Sequence, residues 1–321
     1  MTITLKDIIG IAKELPESYF EETFEKLKEL KERADLEKES ESKSCPHCKS
    51  AKVVRNGKSR GRQMYLCRNC KRTFSETRGS GIAHSHSSPT VWTQVISDTV
   101  NGIAIDKTAD SLDLHHETVF NMRHKILYCI EKSLIVAPTT LTGTCETDET
   151  YILESEKGRK FSANHHRKPR KHGAKATKRG ISDEYVCVCT FVNGDNKCGA
   201  TSVNRASPSK AKILEVFADR IVDDTVILCD GNENYDVLEE KCTVAHTKRI
   251  NKVNGFHSHI KERLDSMRGV STIYLNRYNA LFTKRYAADK SAIDEIYELM
   301  TSDSSAFNTI AHTQSANLLN V

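Results

Sequence analysis

From Leu141 onward, apolar runs of strand length alternate with amphipathic segments of helical period, and few folds accept that order. Apolar runs at about 142–152, 184–193 and 198–204 read as three consecutive strands. A helix opened by Ser207-Pro208 follows and runs to Ile221, with Ile213, Leu214, Phe217 and Ile221 on one face. Then come a strand, Thr225-Val-Ile-Leu-Cys-Asp230, a short helix near Tyr235 to Glu240, a strand at Thr243 to His246, and a helix from about Asn251 to Met267. Two aspartates sit on these strands. Asp148 lies within Thr144-Cys-Glu-Thr-Asp-Glu-Thr-Tyr-Ile152, and Asp230 closes the fourth strand.

Strand-strand-strand-helix-strand-helix-strand-helix is the ribonuclease H-like order, an α/β class. In such a sheet the first and fourth strands are neighbours, so Asp148 and Asp230 are expected to meet at one edge of a site. Carboxylates projecting from adjacent strand ends can hold Mg²⁺ for phosphodiester chemistry. The alternative is a pair of strand-end carboxylates that cap nearby loops. The helix 251–267 is expected to lie against them, burying Val253, Phe256, Ile260 and Leu264 and turning Asn254, His257, Ser258 and Lys261 toward a cleft. An Asn side-chain oxygen can complete a Mg²⁺ shell, and Lys261 can hold a phosphate. Glu146 and Glu149 flank Asp148 and are expected to point away from the metal face.

Eleven cysteines is an odd number, and Cys129, Cys145, Cys187, Cys189 and Cys229 lie singly inside apolar runs, as reduced core residues do. Four others are arranged differently. Cys45-Pro-His-Cys48 and Cys67-Arg-Asn-Cys70, eighteen residues apart, have the spacing of a tetrahedral thiolate zinc site. Lys52 to Leu66 would supply the intervening hairpin with Asn56-Gly57 as its turn. His47 is expected to face solvent instead of binding metal.

Leu5 to Ala34 is charged and amphipathic, reading as two helices broken at Pro16, a packing or dimerisation element; Glu37 to Ser44 reads as a linker. Glu76 to Pro89 is rich in Gly, Ser and His and reads as a loop with His84 and His86 exposed. Ile105 to Leu127 has the pattern of two short helices crossing at a tight turn, a helix-turn-helix, although Asp113 stands where Gly is common. Its second helix would present His116, Thr118, Asn121, Arg123 and Lys125 to phosphates and base edges. An ordinary helical hairpin is the competing reading.

The balance of 48 Lys and Arg against 43 Asp and Glu leaves a net charge of only +5, so a polyanion partner has to be argued from where the charge sits. It sits in Lys157 to Gly180, which carries ten Lys or Arg, three His and no acid. A loop of that composition is expected to be mobile alone and, through residues such as Lys168, Arg170 and Lys171, to meet a DNA backbone. A solubilising insert is the alternative. No stretch has the length of a membrane-spanning helix and the N-terminus lacks a basic-then-apolar leader, so a cytoplasmic, nucleoid-associated protein without a membrane partner is expected.

These motifs together resemble transposases of the fifteen-ninety-five insertion-sequence family over roughly residues 45 to 285. The resemblance rests on the cysteine pairs with Lys71-Arg-Thr-Phe74, on Thr118-Val-Phe-Asn-Met-Arg-His-Lys125, on Glu146 to Ile152 and on Lys178-Arg-Gly-Ile-Ser182. Val253-Asn-Gly-Phe-His-Ser-His-Ile-Lys261 and Gly269-Val-Ser-Thr-Ile-Tyr-Leu-Asn-Arg-Tyr278 are similar to the branch in which Asn replaces the third catalytic Glu. It implies a helical segment and linker at 1–44, a zinc ribbon at 45–76, a helix-turn-helix at 90–137, a catalytic domain at 141–285 and a helical tail at 286–321. It implies a triad of Asp148, Asp230 and Asn254 with Lys261 as the fourth position, structural Zn²⁺, and catalytic Mg²⁺ or Mn²⁺. The reaction implied is cleavage at terminal inverted repeats and joining to target DNA, performed by a homodimer or larger synaptic complex on double-stranded DNA. A regulator that binds ends without cutting and a nuclease that cuts without joining are the competing functions.

Overall fold

The computed structural model describes residues 44–59, 62–78, 80–83, 85–136, 138–158, 167–171, 173–267, 269–287 and 292–301. The helices and linker expected before residue 44, His84, and the tail beyond Thr301 lie outside the described residues. Two compact units divide the chain at Arg78 and Gly79.

In the first unit, β1 (Val53–Ser59), β2 (Arg62–Cys67) and β3 (Thr73–Ser75) form an antiparallel sheet in that order. Tyr65 stacks on Phe74 at 5.7 Å between ring centroids, and with Cys45 and Cys67 they make a core of four buried residues. So small a core needs a staple. Asn56-Gly57 is not the hairpin turn. The register slips between Arg55 and Lys58, and Gly57 takes a φ of 69°, so the pair forms a bulge inside β1 and the strand runs on to Ser59.

The second unit begins with three helices, α1 (Pro89–Asn101), α2 (Ile105–Leu112) and α3 (His116–Val136). Ser88 caps α1 by accepting from the Val91 amide, and Pro89 starts its first turn. Asp113 ends α2 in the left-handed region at φ 51°, the conformation that makes Gly common there. Trp92 and Ile96 of α1 share a core with Ile126 and Ile130 of α3, all four fully buried, and Leu112 of α2 packs against it.

The sheet that follows contains β4 (Thr144–Leu153), β5 (Tyr185–Asn193), β6 (Cys198–Arg205), β7 (Val226–Cys229) and β8 (Thr243–His246) in the spatial order β6-β5-β4-β7-β8. The first three pair antiparallel, and β4–β7 and β7–β8 pair parallel, which is the ribonuclease H-like sheet. Along β5, Val186, Val188 and Val192 face one core while Cys187, Cys189 and Phe191 face the other, so both faces of the sheet are covered. On the first face lie α5 (Asn251–Ser266), α6 (Leu275–Ala287), α7 (Ala292–Thr301) and residues of α1 and α3, within one continuous core. On the second lies α4 (Lys210–Phe217). It is shorter than expected. Ser209 caps it, and Ile221 instead forms a parallel bridge with Leu141.

Candidate functional site

The parallel register of β4 on β7 runs from Thr144 opposite Val226 to Thr147 opposite Cys229, and one further step sets Asp148 beside Asp230. Burial holds the Asp148 carboxyl above its ordinary pKa and Asp230 pushes it further, against the Glu149 amide and Lys261, which lower it. Glu149 is raised too, by burial first and by Asp148 second. Asp148 and Asp230 crowd the ends of two neighbouring strands with Lys261 the nearby cation acting on Asp148, an arrangement that favours a metal ion.

Helix α5 lies over this edge and buries the expected stripe, with one exception, His257. The buried residues of α5 are Val253, Phe256, His257, Ile260 and Leu264, so His257 belongs to the packed stripe, while Asn254, Ser258 and Lys261 are exposed. Burial and the Lys261 charge depress the His257 pKa to about 4, which keeps the ring neutral. Its Nε2 lies 2.6 Å from Thr190 Oγ1 and its Nδ1 lies 3.8 Å from Asp148 Oδ2. Thr190 also donates to the Asp148 carbonyl at 2.8 Å. A lone hydroxyl in the run Val186 to Val192 was the sequence signal for it.

The expectation that Glu146 and Glu149 both point away from this face fails for Glu146. Residues two apart on a strand share a face, so Glu146 lies on the side of Asp148. Its Oε2 accepts the Lys252 and Val253 amides at 2.7 and 3.1 Å, supplying the cap that α5 lacks, since Ile250 makes no side-chain bond there. Glu149 does face the other way, where Asn232 donates to it at 2.8 Å.

The basic segment is anchored where it is described. Glu154, 3% exposed, accepts Arg167 Nε at 2.8 Å and Arg205 Nη2 at 2.7 Å. Glu184, 2% exposed, accepts the amides of Thr177 and Lys178 at 2.6 and 3.1 Å. Arg170 reaches both the Glu154 carbonyl and Glu184. Arg170 is therefore a clamp and not a free phosphate contact, a correction set by the buried Glu184 carboxylate and the Glu154 carbonyl that it pairs. Lys168 and Lys171 remain exposed. Together with the end of β4 and Leu264 of α5, this segment lines a cleft of about 1340 Å³ that Lys157, Lys175 and Lys261 also border.

On α3, Thr118, Asn121 and Lys125 are exposed, whereas Arg123 is not. It is 6% exposed, and its Nη2 donates to the Ile103 carbonyl at 2.7 Å, across the link between α1 and α2. Position 123 falls one turn after buried Val119 and between buried Met122 and His124, so it faces inward.

In the first unit, Cys45 and Cys70 sulfurs stand 3.6 Å apart, as do those of Cys48 and Cys67, and all four lie within 4.8 Å of one another. Zn–S bonds of ~2.3 Å in a tetrahedron imply S···S edges of about 3.8 Å, so the thiols fit zinc. The Ser50 amide leads in lowering the Cys48 pKa to about 6. His47 sits outside the cluster, beside Arg72 at 3.4 Å.

A ribonuclease H-like sheet bearing paired strand-end acids, on a chain that also carries a four-cysteine ribbon, is the setting in which two sequence-family matches fall. Residues 40–71 match the InsA N-terminal zinc ribbon, and residues 140–287 match the ISXO2-like transposase domain of the IS1595 group. Residues 140–287 thus carry a transposase domain of the IS1595 type behind a zinc ribbon of the InsA type. An uncharacterised protein of the transposable element ISH50 from Halobacterium salinarum is 28% identical over 199 residues, which cover 61% of this chain and 64% of that relative. The chain thus spans somewhat less than two thirds of its relative. A pre-cleavage Mos1 transpososome superposes at a TM-score of 0.27 with 11% identity, covering 62% of this chain and 74% of that one. A Mos1 mariner paired-end complex with Mn gives the same TM-score and identity over 66% and 77%. No helix among the described residues is long and apolar enough to cross a membrane.

Proposed function

We propose that this protein excises and inserts its own element, binding the terminal inverted repeats and catalysing metal-dependent DNA cleavage and strand transfer. The observation that supports this best is the β4–β7 register that sets Asp148 beside Asp230 under α5, within a domain of transposase ancestry. The acid set fits Mg²⁺ or Mn²⁺. Asp148 and Asp230 would hold it with the exposed Asn254, and its chemistry is to polarise the scissile phosphate and ease deprotonation of the attacking water or 3′-hydroxyl. Lys261 binds a phosphate next to the acids, and Glu146 steadies the helix that carries both Asn254 and Lys261. Thr118, Asn121 and Lys125 read the repeat, Lys168 and Lys171 hold the backbone, and the ribbon, with one Zn²⁺, extends the grip on DNA. The divisions at 45–76, 90–137 and 141–285 assign these tasks to successive segments. Because two ends are joined in one event, the working species is a homodimer or a larger complex.

The test is an assay on DNA bearing the element's own ends, scored for nicked, excised and joined products. Asp148→Asn and Asp230→Asn each remove a charge at constant shape and should abolish cleavage while end binding persists. Asn254→Ala should lose most activity, Asn254→Asp should retain some, and Lys261→Ala should lose less than either aspartate variant. Replacing Lys168 and Lys171 by Gln should flatten the salt dependence of binding to any sequence. Wild-type protein that binds ends and never cuts is a regulator; cutting without joining marks a nuclease.

A further inference from the structure

His257 is a polar side chain at 7% exposure in the apolar stripe of α5, and its hydrogen bonds determine where its proton sits. The Thr190 hydroxyl lies 2.8 Å from the Asp148 carbonyl oxygen and 2.6 Å from His257 Nε2. A carbonyl can only accept, so the hydroxyl spends its single proton there. Toward the imidazole it must accept, which puts the ring proton on Nε2 and leaves a lone pair on Nδ1. That lone pair faces Asp148 Oδ2 across 3.8 Å, beyond hydrogen-bond range. Two acceptors thus confront each other on β4 and α5, and Asp230 adds a third beside them.

We propose that His257 Nδ1 is a ligand of the divalent cation held by Asp148, a role that rests on the metal-dependent reading above. Two bonds of ~2.1 Å can span up to about 4.2 Å, so one ion reaches both atoms. Thr190 then acts as the outer partner that fixes the tautomer, as metal-binding imidazoles require of their second nitrogen. The same hydroxyl holds the backbone of Asp148, so a single group orients both ligands. The imidazole supplies a donor where Asn254 offers a neutral oxygen in place of a carboxylate. Mg²⁺ prefers oxygen ligands and keeps its waters, so the nitrogen should show first with Mn²⁺.

The experiment is pulsed electron paramagnetic resonance on zinc-loaded full-length protein titrated with Mn²⁺, read for nitrogen coupling at the manganese. Wild type should show saturable Mn²⁺ binding with a directly bound nitrogen. His257→Gln should lose that coupling, Asn254→Ala should keep it, and Thr190→Val should keep it with affinity lowered about tenfold. Saturable Mn²⁺ without nitrogen coupling in wild type, or coupling that survives His257→Gln, overturns the His257 assignment and leaves the acidic site standing. Absence of any saturable Mn²⁺ binding overturns both this assignment and the metal site itself.

Discussion

Arg123 shows how one buried charge can pass for a surface one in a sequence. It lies in a stretch with Thr118, Asn121 and Lys125, and residue type alone gives all four the same chemistry. Three are exposed; Arg123 bridges to the Ile103 carbonyl from a buried position. The bond ties α3 to the link between α1 and α2, and a hydrogen bond from a charged donor contributes ~1.5–3 kcal/mol. Arg123→Ala should therefore lower the unfolding free energy by about 2 kcal/mol in urea denaturation, whereas Asn121→Ala and Lys125→Ala should stay within about 0.5 kcal/mol of wild type. An Arg123→Ala midpoint equal to wild type would show that the bond contributes nothing. His257 teaches the same lesson in reverse. Its place at i+3 from Asn254 suggests the open face, and only the packing of α5 reveals it in the buried stripe with Nδ1 toward Asp148.

At the scale of elements, strands and helices supply one another's missing partners. The first turn of α5 has no cap of its own, and Glu146, two residues before Asp148 on β4, accepts two of its amides. A carboxylate at a helix N-terminus also meets the positive end of the dipole. Replacing a capping acceptor with Ala typically costs ~1 kcal/mol, so Glu146→Ala should destabilise by about that much and Glu146→Gln by less, since an amide oxygen can still accept. Chemical denaturation of the two variants checks the order, and equal losses would mean that charge instead of acceptance is the source. The basic segment is held on the same logic. Glu154 after β4 and Glu184 before β5 collect Arg167, Arg170 and Arg205, so part of its positive charge is spent on structure and part, at Lys168 and Lys171, is left outward.

For the whole molecule, the two compact units predict separable responses to metal removal. The ribbon's core of four buried residues includes two of the cysteines themselves, so it depends on its metal, whereas the unit from Gly79 has its own large core. Purified protein should carry about one zinc per chain, the content of a single four-thiolate site. Cys45→Ser with Cys48→Ser should remove it and abolish amide protection in 44–78 while protection of β4, β5 and α5 is unchanged, as hydrogen exchange would report. Zinc content unaffected by the double substitution would refute the site. The element order, the cysteine spacing and the placement of Asp148 next to Asp230 were all legible in the sequence, because hydrophobic period, ligand spacing and strand order are local or nearly local properties of the chain. The roles of Glu146, Thr190, His257, Arg123 and Arg170 were not. Each depends on a partner between 14 and 107 residues away in the chain, and a side chain's burial and proton are decided by what the fold packs against it.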